Sequence, residues 1–193
     1  MKDRRYANRG APFEEFIRFA NKRYAHHKVA VIEKLPTEWI PLRNNRGQIC
    51  GAKVEDKSKV DFIGRYRAIP IAIEAKNSEE DNIRFDRVES HQADYMDAFT
   101  EDPGVIGLVL VSFNLKRFFV IPWAFWAMAY EYRVRRNDRK TPVTVSAFGQ
   151  TWTIPQKFSV RIDELNPIWE IPNHDYTYGL HYLNEVERYI TGV

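Results

Sequence analysis

The stretch Val105–Ser112 holds eight residues without a single charge, and it limits the architecture more than any other segment. Such a run suits a strand covered on both faces, because a half-exposed strand would alternate apolar with polar. A second run, Ile69 to Lys76, is apolar as far as Ile73 and acquires charge only at Glu74 and Lys76. Between the two, Ile83 to Phe99 suits a helix, with Val88, Gln92, Tyr95, Met96 and Phe99 near one face. Strand, helix and buried strand in that order predict an α/β layer structure with a mixed central sheet.

The flanking segments fit that plan. Pro12 is well placed in a first helical turn, where its missing N–H would have no partner, and Phe13, Phe16, Ile17, Ala20 and Tyr24 follow at helical spacing. Val29 to Ile32 predicts a short strand. Glu38–Leu42 and Gln48–Ala52 are expected to pair across an Asn44–Gly47 turn, giving a hairpin-like insertion over residues 37–57 that protrudes. Ser58 to Gly64 predicts a strand with Val60 and Phe62 on one face. Phe118–Ile121 predicts another strand, and Pro122 starts a helix through about Tyr132. The tail is less regular until Leu180, Leu183, Val186 and Ile190 suggest a last amphipathic helix. One domain over residues 1–193 is expected, since domains usually run to roughly 100–200 residues.

No stretch reaches the roughly 18–20 uncharged apolar residues of a membrane helix, and the start Met-Lys-Asp-Arg-Arg-Tyr opens no signal-type apolar core. No membrane association is expected, and the cytoplasm is the expected location. A lone cysteine, Cys50, excludes an internal disulfide and a cysteine-based zinc site. Net charge is only +3, too small an excess to identify a nucleic-acid binder by itself. The charge is unevenly spread: Lys2, Arg4, Arg5 and Arg9 crowd the start, and Arg133, Arg135, Arg136, Arg139 and Lys140 form a second run.

The chemistry lies in Asp61 and Glu74-Ala75-Lys76. Side chains alternate along a strand, so Glu74 and Lys76 share one face while Ile71, Ile73 and Ala75 take the other. If the strand holding Asp61 pairs with this one, two carboxylates and an ammonium converge. Carboxylates brought together repel unless a proton or cation lies between them. Mg²⁺ takes one or two carboxylates and fills its shell with water and phosphate oxygens. Such an ion polarises a phosphodiester and activates water, and a neighbouring lysine stabilises the developing charge. The bare spacing is equally open to a surface ion pair on an exposed strand face, worth about 0–1 kcal/mol.

Several short motifs occur in a telling order: Asn8-Arg9-Gly10, Phe13-Glu14, Asn21 with Tyr24, Ile32 with Lys34-Leu35-Pro36-Thr37, Lys57 to Gly64, Glu74-Ala75-Lys76, and His91-Gln92. In this the chain resembles the RecU-type Holliday-junction resolvases of the PD-(D/E)xK nuclease superfamily, from about Asn8 to Tyr130. The resemblance implies a restriction-endonuclease-like mixed sheet flanked by helices, with a stalk insertion at 37–57. It implies Asp61 and Glu74 as metal carboxylates, the Ala75 carbonyl in the same shell, and Lys76 as the catalytic lysine. Glu14 is implied as an outlying acid supporting the metal, and Gln92 as the helix glutamine facing the site. It further implies Mg²⁺, with Mn²⁺ as a substitute, a homodimer acting on a DNA four-way junction, and a possible recombinase partner. Arg9, Lys34, Arg43, Arg46, Lys53 and Lys57 are the expected DNA contacts, since phosphate contacts hold DNA of any sequence. The chain departs from the family pattern at Val60, where threonine is usual, and at Asn77-Ser78 after the lysine. Its stalk is also somewhat shorter.

Three other functions fit parts of the sequence: a restriction-type or repair nuclease of the same superfamily, a junction-binding or recombinase-modulating protein without activity, and a plain α/β interaction domain. A basic protrusion favours the junction enzyme over a duplex cutter, and the intact Asp61, Glu74 and Lys76 argue against an inactive binder.

Overall fold

The structure, a computed structural model, describes residues 11–36, 38–56, 59–172 and 175–191. The first helix, α1 (Ala11–His26), buries Phe13, Ile17, Ala20, Asn21 and Tyr24 along one face. It leads into β1 (Ala30–Lys34). Next come β2 (Glu38–Arg43) and β3 (Ile49–Asp56), which pair with each other across the expected turn. Asn44 closes that turn: its Oδ1 accepts from the Arg46 and Gln48 N–H groups, the arrangement that makes asparagine a turn residue. Residues 41–52 are all exposed, and this hairpin forms a sheet of its own.

The central sheet follows. β4 (Phe62–Tyr66) turns into β5 (Ile69–Ser78). After the short β6 (Asn82–Arg84), α2 (Ser90–Phe99) carries the chain across to β7 (Ile106–Phe113), and β8 (Arg117–Pro122) returns. α3 (Trp123–Ala129) runs on into a π-helical turn, Tyr130–Arg135. The tail adds the hairpin β9 (Val143–Ala147) and β10 (Gln150–Ile154), then β11 (Ser159–Arg161), β12 (Glu170–Ile171) and α4 (Tyr182–Thr191).

Six strands form the main sheet in the order β1-β4-β5-β7-β8-β12. β5 and β7 are parallel and every other pairing in it is antiparallel, so the sheet is mixed, as the strand–helix–strand pattern requires. Both inner strands are covered on both faces. Gly107 pairs with Ala72, and a Cβ there would meet Thr100 and Trp123 side-chain atoms at 2.7 and 2.8 Å. Hence α2 and α3 lie tight against the face that carries Ala72, Glu74 and Lys76. α1 covers the other face, with Phe13 stacked on Phe118 at 5.7 Å between centroids. Ile71, Ile73, Leu108 and Leu110, almost fully buried, each contribute about 1.5–3 kcal/mol of transfer free energy.

The expected helix over Ile83–Phe99 is corrected. Only Ser90–Phe99 is α-helical. Ile83 belongs to β6, paired with Val160 of β11, and Phe85–Arg87 is a 3-10 turn. The backbone of Asn82–Arg84 finds its partners in a strand far along the chain, a term no local periodicity contains. The tail is also more regular than expected: Trp152, Ile154 and Trp169 are buried, and the Phe125, Trp152 and Trp169 rings pack edge to face. Trp123, Phe125 and Trp126 are core residues. Arg133 is fully buried in the π-helical turn, where its guanidinium donates to the carbonyls of Pro155 (2.7 Å), Asp138 (2.5 Å) and Thr141 (3.1 Å).

Candidate active site

β5 carries the charged residues into the middle of the sheet. The β4–β5 ladder ends at Phe62 opposite Ile73, so Asp61 lies one step further, beside Glu74. The chain holds Asp61 there from two sides. Its carbonyl accepts from the Leu35 N–H at 2.9 Å, and its Oδ2 accepts from the Ala75 N–H at 2.9 Å. In an extended strand the N–H and C=O of one residue leave by the same edge. The Ala75 carbonyl therefore lies on the Asp61 side of β5.

Glu74 is only 1% exposed. Its Oε1 accepts from Lys76 Nζ at 2.5 Å and from Gln92 Nε2 at 2.7 Å, while its buried Oε2 has no hydrogen-bond partner. Burial pushes the Glu74 carboxyl up to about 8; the Lys76 ammonium works against this and the Asp61 charge adds to it. Asp61 is also raised, first by burial and less by the charge of Glu14, with the Ala75 N–H and Lys76 opposing. At neutral pH the raised Glu74 carboxyl keeps its proton, which removes the repulsion with Asp61 that a bound cation would otherwise balance.

Gln92 fixes the other side. It is 8% exposed, and its Oε1 accepts from the Glu89 N–H at 3.0 Å and from Lys76 Nζ at 3.2 Å. One side chain thus caps the start of α2 and ties that helix to both Glu74 and Lys76. The cap had a sequence signal, an acidic residue followed three positions later by glutamine, in Glu89 and Gln92. Lys76 keeps a third ammonium proton for another acceptor.

The donor set suits a hard cation: two carboxylates, one with a free oxygen, and a backbone carbonyl on the same edge. Among the described residues no group of three or more histidine, cysteine, aspartate or glutamate side chains gathers to hold a metal. Glu14 is paired with Lys34 in a close ion pair and lies near enough for Asp61 to feel its charge. Of the expected DNA contacts, Lys34 stands at the end of β1 beside this site. Arg43 and Arg46 lie on the exposed hairpin, with Arg43 bonded to the Gly47 carbonyl at 2.8 Å. Arg9, Lys57 and the Lys53 side chain lie outside the described residues. Lys59, inside the Lys57 to Gly64 motif, holds its ammonium 5.8 Å over the Tyr95 ring.

The sequence comparisons agree with one another. "Holliday junction resolvase RecU" of Streptococcus sanguinis is 27% identical over 145 residues, covering 72% of each chain. Its namesake from Streptococcus mutans is 28% identical over 164 residues, 75% of this chain and 81% of that one. Among solved structures, the Holliday junction resolvase Hjc of Archaeoglobus fulgidus aligns with a TM-score of 0.36 at 14% identity, covering 56% of this chain and 78% of that one. The sequence model described as recombination protein U matches residues 8–170, and that span takes in α1, the hairpin, strands β1 to β8 and every residue of the Asp61–Glu74–Lys76–Gln92 cluster. The chain belongs to the RecU family.

Proposed function

We propose that this protein is a structure-selective DNA endonuclease that resolves four-way junctions by hydrolysing phosphodiester bonds, with Mg²⁺ as cofactor and Mn²⁺ as a substitute. The observation that carries the reading is the Glu74 carboxylate, buried beside Asp61 with one oxygen unpartnered. An acid so placed is costly for stability and finds its use in gripping a cation at the substrate phosphate. Asp61, Glu74 and the Ala75 carbonyl would hold that ion, which when bound would polarise the phosphodiester and activate water.

The chain's own residues supply the rest. Lys76, locked by Glu74 and Gln92, directs its remaining proton at charge building on the phosphate oxygens. Gln92 keeps that ammonium from swinging away. The exposed β2–β3 hairpin brings Arg43 and Arg46 to the centre of a branched substrate, and a homodimer would set two such sites on two strands. The relatives named as Holliday junction resolvases support this substrate. Action on DNA also makes the cytoplasm the working compartment, and among the described residues no helix is long and apolar enough to cross a membrane.

The test is cleavage of a labelled immobile four-way junction beside a linear duplex of the same sequence, with Mg²⁺ and with EDTA. Symmetric nicks in the junction alone, lost with EDTA and in Asp61→Asn, are expected. Equal cutting of both substrates rejects junction selectivity, and full turnover by Asp61→Asn rejects the site.

A further inference from the structure

A DNA strand brings one negative charge per nucleotide to a site built of acids. A bound cation answers for the phosphate being cut, and Lys76 has one proton left for it. The phosphates on either side need cations of their own, and several of those nearby are taken. Lys34 is paired with Glu14, and Arg84 is held by both oxygens of Asp86. Arg135 bonds Asp94 and Asp97 of α2. Lys59 is different. It is exposed, and among the described residues it forms no ion pair. Its ammonium lies 5.8 Å over the Tyr95 ring instead. Such a contact is worth about 0.5–1 kcal/mol at an exposed position. It uses the face of the ring and no hydrogen bond, so all three ammonium protons stay available.

The place of Lys59 in the fold gives that cation a use. Val60, the next residue, is fully buried and pins the segment. Lys59 stands two residues before Asp61, about 6–7 Å along an extended chain, which is close to the step between successive phosphates of one strand. Tyr95 lies one turn along α2 from Gln92, the residue bonded to Glu74 and Lys76. Its ring is stacked on Phe99 at 6.1 Å between centroids. The ring is thus a fixed plate that holds the lysine stem across from the Asp61 segment to α2. The helix acids do not compete for the ammonium, because Arg135 takes Asp94 and Asp97 and the Trp123 indole N–H also donates to Asp97 at 3.0 Å. Along the chain, Lys59 falls between β3 of the exposed hairpin and Asp61. A DNA strand running from the hairpin to the cut passes it first.

We propose that Lys59, held by Tyr95, is a positioning residue that grips the DNA phosphate next to the one being cut, on the side nearer the crossover. The proposal rests on the nuclease reading. It assigns Lys59 to binding and not to the chemical step, since the neighbouring phosphate carries the same charge before and during the reaction.

The test uses the full chain with Mg²⁺ and a labelled four-way junction, either intact or carrying one uncharged methylphosphonate next to the cut, on one side or the other. Lys59→Ala is expected to raise KM about tenfold with kcat unchanged. It should also flatten the log–log salt slope of junction binding in EDTA by about 0.9. Lys59→Arg should restore both, since a guanidinium also lies well over an aromatic ring. Tyr95→Leu, which keeps apolar packing on Phe99, should show a smaller loss in the same direction. The methylphosphonate on the crossover side should cost the wild type the same factor and cost Lys59→Ala nothing more; on the far side it should cost both alike. Unchanged KM and salt slope in Lys59→Ala, with the wild type cutting normally, overturn the proposal and leave the nuclease reading standing. A fall in kcat alone overturns it too, by placing Lys59 at the reacting phosphate. Losses that add on the crossover-side methylphosphonate overturn the choice of phosphate. A wild type that neither binds nor cuts junctions overturns the nuclease reading, and this grip with it.

Discussion

Replacing Glu74 by glutamine is expected to stabilise the metal-free protein and to abolish its cleavage activity. Glutamine keeps a carbonyl oxygen for the Lys76 and Gln92 bonds and turns an NH₂ towards Asp61, so the geometry survives. What disappears is the cost of burying a carboxyl whose titration is pushed from 4.5 to about 8. The folded state binds the extra proton over that range, so the wild type loses stability relative to its unfolded chain as pH rises from 4.5 towards 8. At pH 7 the gap of 2.5 pH units from 4.5 corresponds, at 1.36 kcal/mol each, to about 3 kcal/mol as an upper figure. For a chain of this length that is about 6–12 °C in melting temperature. The assay is thermal unfolding of both proteins in EDTA from pH 4.5 to 9. The variant should match the wild type at the acid end, gain steadily through neutrality and level off near 8. Adding Mg²⁺ should raise the wild type alone. A difference in melting temperature that does not change with pH would refute the account of Glu74 as a destabilising buried acid.

Gly64→Ala should cost about 3 kcal/mol, the upper end for overpacking, because its Cβ would fall 2.1 Å from the Val31 carbonyl oxygen, a backbone atom of β1; a loss below about 1 kcal/mol in denaturant melts would contradict this packing. The Asp138 carboxyl, held by Thr141 and by the Lys140 and Thr141 N–H groups, titrates at about 2. Its contribution is therefore present above 3.8 and lost as pH falls towards 2, and a carboxyl-carbon NMR midpoint near 3.8 would overturn it. Removing residues 43–53 should weaken junction binding about tenfold with little effect on linear duplex, measured by gel shift in EDTA; equal losses would deny the hairpin a selective role.

Sequence and structure meet most closely where local chemistry decides the outcome. The uncharged runs of β5 and β7 could only be buried strands, and the Asn44–Gly47 turn declares its hairpin through residues that favour turns. Alternation put Glu74 and Lys76 on one face before any register was known. Ile83 was misread because its partner, Val160, is remote in the chain. The tail hairpin was missed although Thr151 to Ile154 alternates between exposed and buried, since Trp152 finds its neighbours in Phe125 and Trp169 only after folding. In the site, the resemblance alone offers Glu14 as a supporting acid, and its ion pair with Lys34 is visible only once α1 and β1 stand side by side.

The three carbonyls around Arg133 bear on where this chain tolerates change. They tie Asp138, Thr141 and Pro155 to the end of α3 from inside the core, so the residues between are fixed in length although they run over the surface. The tip of the β9–β10 hairpin is different: Gly149 has a φ of +71° and open space where a side chain would be. A fluorophore or short peptide inserted at Gly149 would ride on the molecule without disturbing it, whereas one extra residue between Asn137 and Lys140 would pull the carbonyls off the guanidinium and loosen the whole C-terminal half.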